Sequence, residues 1–162
     1  MRKAVIVNDK IQVFDSVPKT WNNILGFNNL SNSELENHGF YDVVDAEGYS
    51  PILHNRGELE FHESLNKFIY KKIDKTLDSI ENLKAEKIKE LKKMAFGLLQ
   101  NTDWYCARKT ELGTEIPDSI IAERKKIRDK VVEREKEIND LDTQSKVALY
   151  NVVIFDFNPN DL

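Results

Sequence analysis

The sequence has one cysteine, Cys106, so it can form neither a disulfide within the chain nor a thiolate metal cluster. Its six glycines are scattered singly, which leaves no glycine-rich loop to cradle a phosphate. The three histidines, His38, His54 and His62, stand apart from one another and from Cys106, and no His-x-x-x-His or Glu-x-x-His spacing suggests zinc. Acidic residues are plentiful but never take the Asp-x-Asp-x-Asp-Gly calcium pattern. A polyanion partner calls for a basic excess, and here 24 Lys and Arg face 28 Asp and Glu, a formal charge of -4. The apolar run Ala4–Val7 is too short for a signal-peptide core, and no later run could span a membrane. These absences lead to one expectation. The chain is not an enzyme, takes no cofactor, metal or small-molecule substrate, binds no nucleic acid or membrane, and is made in a reducing cytoplasm.

What is present is charge and periodicity. Charged residues make up 32% of the 162, above the usual quarter, and 40% are hydrophobic. That balance suits long solvated helices beside a modest core. The fold class expected is α+β: a small N-terminal antiparallel β module (1–74), a long coiled-coil-like two-helix hairpin (75–142) with a structured connector (101–117), and a C-terminal apolar, β-prone segment with its tail (143–162).

In the first part, Lys3 to Val7 and Ile11 to Phe14 read as a hairpin about Asn8-Asp9, residue types that tolerate left-handed turns. Trp21, Ile24, Leu25 and Phe27 supply bulky packing from a loop or short helical turn. Ser31 to Glu34 fits a capping box, with Gly39 as the stop of a short helix. Phe40 to Val44 is a strand, broken at Ala46 to Pro51. Leu59 to Phe61 and Phe68 to Ile73 read as a second hairpin turning at Glu63 to Asn66, for roughly five strands in all.

From Asp74 the period changes. Leu77, Ile80, Leu83, Ile88, Leu91, Ala95 and Leu98 mark an amphipathic helix of about 26 residues. A second helix begins near Pro117, a residue suited to the first helical position. Along it Ile120, Ile127, Arg134 and Leu141 share one heptad position, and Arg124, Val131 and Ile138 share the other. Two arginines in such a seam imply a half-solvated face or acidic groups on a partner. Asp142 to Lys146 reads as a breaker. Val147 to Phe155 is apolar and β-prone and must be buried, as a strand on its own module or against another chain; a polar tail with Pro159 follows.

The connector is long for a link between helices and should therefore be structured or functional. Trp104 and Tyr105, with Leu112 and Ile116 beside them, would plug the open end of the hairpin. Alternatively, Trp104, Tyr105 and Arg108 form a docking anchor, since Trp, Tyr and Arg dominate interface hot spots. The candidate residues, for a protein interface or for the connector core, are therefore Trp104, Tyr105, Arg108, Arg124, Ile127, Val131, Arg134 and Ile138.

The run Leu98-Leu-Gln-Asn-Thr-Asp-Trp-Tyr105, then Arg108-Lys-x-Glu111, Gly113, Ile116-Pro117 and a charged helix with Arg124 and Arg128, resembles a module of small tailed-bacteriophage tail and tail-fibre proteins, among them tail-fibre assembly chaperones. The first half is similar too, in its hairpin, its Pro18-x-x-Trp21 segment and Gly39-Phe-Tyr-Asp-Val-Val44. The chain departs from the pattern at Cys106, where an aliphatic residue is expected, and in its C-terminal apolar segment. The resemblance implies a virion tail or tail-fibre protein, forming a homo-oligomer and contacting other tail or fibre proteins. The alternative it implies is an assembly chaperone not retained in the particle. No catalytic residue comes with it.

Overall fold

A computed structural model describes residues 2–155; the tail carrying Pro159 lies outside the described residues. The fold is α+β, and the chain divides into two compact units at Lys75/Thr76.

The first unit is built on a sheet of order β2-β1-β5-β7-β6. Strands β1 (Lys3–Val7) and β2 (Lys10–Phe14) form a hairpin whose two turn residues, Asn8 and Asp9, both have positive φ, 50° and 58°. That twist matches the flanking strands. Trp21 and its neighbours do not sit in a loop or helical turn: β3 (Thr20–Trp21) and β4 (Ile24–Leu25) make a second small hairpin through Asn22 and Asn23. A 3-10 turn (Phe27–Asn29) and helix α1 (Asn32–Asn37) follow. The Ser31–Glu34 capping box is formed in both directions, and Gly39 takes φ 79° after the helix.

β5 (Tyr41–Asp45), β6 (His54–His62) and β7 (Lys67–Asp74) complete the sheet. The antiparallel expectation is corrected here. β6 runs along the sheet's edge and β7 returns inside it, so β7 lies parallel to β5, with Val43 beside Phe68. In effect β6 is the crossover that any parallel pair requires. One face of the sheet carries Val5, Phe14 and Phe40 and is covered by Trp21, Phe27 and Leu35. Aromatic edges meet faces there: Trp21 and Phe40 are 4.9 Å apart at 88°. Lys3, 3% exposed, points to the Asp42 carboxylate across the β1–β5 pair at 3.0 Å. The opposite face carries Ala4, Tyr41, Phe61 and Phe68.

The second unit is helical. α2 (Ile80–Gln100) starts at a Ser79 cap, six residues later than the periodicity suggested, because the Ser79 hydroxyl accepts the Asn82 N–H. α3 (Asp103–Leu112) occupies most of the connector, and α4 (Asp118–Asp140) follows Pro117. α2 and α4 run antiparallel within this one chain, as cross-links Lys92–Glu135 and Lys84–Asn139 show. Their core is Leu91, Ala95, Ile127 and Ile138, closed by Val152 and Ile154.

The C-terminal segment therefore packs on its own unit through Val147, Val152 and Ile154, but not as a strand, and Leu149 and Phe155 stay exposed. Gln144–Leu149 is a short helix, α5, capped by Thr143, and residues 150–155 continue without strand pairing. Val and Leu at 147 and 149 fit either period. The threonine cap and the apolar surface of α2 decide in favour of helix.

Candidate functional site

Arg124 and Ile127, candidates from sequence for an interface or for the connector core, turn inward. Arg124 is 8% exposed, and its guanidinium donates to the Leu99 carbonyl (2.9 Å), the Thr102 hydroxyl (2.6 Å) and the Asp103 carboxylate (2.9 Å). Leu99 is at the C-terminal end of α2, where a cation is favoured, and its carbonyl also accepts the Thr102 N–H and hydroxyl at 3.0 Å each. Asp103 opens α3, where an anion is favoured. One planar fork thus pins the end of α2, the start of α3 and the first third of α4 together. The acidic group expected on a partner is on the same chain.

Arg134 plays a related part at the other end of α4. It donates to both oxygens of Glu137, at 3.1 and 2.9 Å, and the Tyr150 hydroxyl donates to Glu137 at 2.6 Å. The Tyr150 and Arg134 hydrogen bonds hold the Glu137 carboxyl below its ordinary value. Burial, and then the bond to Glu137, push the Tyr150 phenol up to about 12. This cluster ties the C-terminal segment to α4. Ile127 and Ile138 are buried and Val131 packs against them, so these three belong to the unit's own core.

Trp104 is not a plug. It is 51% exposed on α3, with its ring stacked on Tyr105 (centroids 3.8 Å, 30°) and the Arg108 guanidinium 5.9 Å away. Leu112, expected beside it, is 73% exposed. Closing the corner falls to Arg124, because a guanidinium reaches the carbonyl, the hydroxyl and the Asp103 carboxylate at once and an indole has a single N–H.

The sequence reading missed the open apolar trough along α2. Met94, Gly97 and Leu98 form one wall and Val152, Val153, Ile154 and Phe155 the other, around about 480 Å³. Met94, Leu98 and Phe155 are each 39% exposed. Leu98 was placed in the core stripe; Leu99 packs there instead, one residue further round the helix. No heptad pattern signals this trough, since one wall is non-helical chain. Lys126 lies 5.3 Å from the Phe155 ring at its rim.

Elsewhere the titratable groups are engaged separately. His54 Nδ1 accepts the Ser50 N–H at 2.9 Å, and His38 meets Phe27 edge to face with centroids 5.4 Å apart. Among the described residues no group of three or more His, Cys, Asp or Glu is placed to hold a metal ion, and no helix is long and apolar enough to cross a membrane. Compared with known protein families, with curated proteins and with solved structures, the chain matches none.

Proposed function

We propose that this chain is a structural component of a bacteriophage tail or tail fibre, acting through protein–protein contacts, and that its place is the virion. The proposal rests on the connector motif and on one structural feature, the trough beside α2. The helical unit buries its own seam residues and still leaves Met94, Leu98 and Phe155 open. Contiguous apolar surface left open beside a closed core is what partner surfaces look like. In this reading the α2/α4 pair is a coiled-coil-like rod, and Trp104, Tyr105 and Arg108 form a second contact on α3. Mass spectrometry of purified virions tests it: copies of this chain in the particle are expected, and their absence ends the structural reading.

The shallowness of the same trough favours a second reading, an assembly chaperone that holds a fibre segment and then releases it. Co-expression separates the two. A chaperone raises the soluble yield of its fibre, and Met94→Glu with Leu98→Glu abolishes that gain.

A further inference from the structure

We propose that strand β2 is a pairing edge whose partner is β2 of a second copy of this chain, joined antiparallel about a two-fold axis at Gln12. The five-stranded sheet has two edges, β2 and β6, and they are treated differently. β6 is guarded. Its register breaks between Arg56 and Leu59, where Gly57 sits so close to β7 that a Cβ would lie 2.8 Å from the Ile73 side chain. Charges at Arg56, Glu58 and Glu60 follow along it. Bulges and charges of this kind keep edges from pairing.

β2 has neither device. Its register with β1 is unbroken from Lys3–Phe14 to Val7–Lys10, it contains no proline, and its one charge, Lys10, lies at its end. Val13 is 42% exposed, and Ile6 beside it on the same face is 51% exposed.

The backbone directions follow from the turn. A two-residue turn makes Val7 and Lys10 a hydrogen-bonded pair, so residues 10, 12 and 14 bond inward to β1. The Val43 N–H bonds to the Arg2 carbonyl at 3.1 Å, as it must if even positions of β1 face β5 and odd ones face β2. Ile11 and Val13 therefore point their N–H and C=O groups outward, and among the described residues β2 pairs with β1 alone.

Pairing about Gln12 sets Ile11 opposite the partner's Val13, and Val13 opposite the partner's Ile11. Each pair exchanges two hydrogen bonds. Ile6, Ile11, the partner's Val13 and the partner's Ala4 then line one face in a row. Lys10 meets the partner's Phe14 rather than a like charge. A shift of one residue would put side chains on the wrong face, and a shift of two would set Ile11 against Asp15 or against itself. The surface is self-complementary, as a two-fold interface must be. It needs only the sheet unit, so it stands or falls separately from the virion reading.

The test uses the full chain. In a Cys106→Ser background, Gln12→Cys places the new thiol opposite its own copy, at about 4.5 Å between Cα atoms. Mild oxidation is expected to give a disulfide-linked dimer, whereas Lys10→Cys, about four residues or roughly 14 Å from its own copy, is expected to cross-link little. By sedimentation, the unsubstituted chain is expected to move from monomer to dimer as concentration rises. Val13→Lys is expected to weaken that association by about tenfold or more, with circular dichroism unchanged and melting unchanged at concentrations where both chains are monomeric. Three results would each overturn the proposal: monomer mass at every soluble concentration, association indifferent to Val13→Lys, or equal cross-linking at positions 10 and 12.

Discussion

The Arg124 guanidinium and the Leu99 carbonyl are 2.9 Å apart, joining residues 25 positions distant at the point where α2 ends. With Thr102 and Asp103 on the remaining donors, this side chain sets the corner between three helices.

Arg124→Met should therefore be costly, since it removes three charge-assisted hydrogen bonds at the corner and leaves only the Thr102 contacts on the Leu99 carbonyl. Asp103 is half exposed and stays solvated, so the loss is that of hydrogen bonds to a charged group, about 1.5–3 kcal/mol. Arg124→Lys keeps the charge but not the planar fork and should fall in between. Denaturant titration followed by far-ultraviolet circular dichroism gives both values. A loss under about 1 kcal/mol for Arg124→Met would mean that the corner holds without it.

The Glu137–Tyr150 contact should make stability depend on pH at two ends. The folded carboxyl is held below 4.5, so its contribution is present above that value and is lost as pH falls through the lower folded value. The phenol is raised from 10 to about 12, so its contribution is present below 10 and is lost as pH rises through about 12. Tyr150→Phe removes the alkaline dependence and should cost about 1.5–3 kcal/mol at neutral pH, the range for a hydrogen bond to a charged group. Thermal melts across pH, together with phenolate absorbance, test this. An unchanged alkaline limb in the variant would show that the bond does not couple to folding.

Leu91 and Trp104 should respond in opposite ways to truncation. Leu91 is fully buried, so Leu91→Ala should cost about 2–5 kcal/mol in lost transfer energy and cavity. Trp104 is half exposed, so Trp104→Ala should cost under about 1 kcal/mol. Parallel denaturant midpoints decide it. A Trp104 loss as large as that of Leu91 would restore the plug.

Much of the local structure was legible. Asn8-Asp9 gave the first hairpin, Ser31 and Glu34 gave the cap of α1, and the Leu91–Ala95 and Ile127–Ile138 spacings gave α2 and α4. Each is a short-range signal, with turn chemistry or period contained in a few residues. The candidate site was less legible. Arg124 was rightly picked out as unusual in an apolar seam, but its partners lie 21 to 25 residues away. The trough was not foreseen, because Leu98 and Phe155 become neighbours of one depression only after the chain has folded back.

The sequence by itself determined where the first hairpin turns and where α1 and α4 begin, because caps, turn residues and hydrophobic periods act over one or two turns of chain. Only the tertiary structure decided that β7 lies parallel to β5, that Gln144–Leu149 is helix, and which apolar side chains stay open. Those outcomes depend on what a segment is packed against. A run such as Val147–Leu149 satisfies either period until a neighbouring surface buries one of its faces.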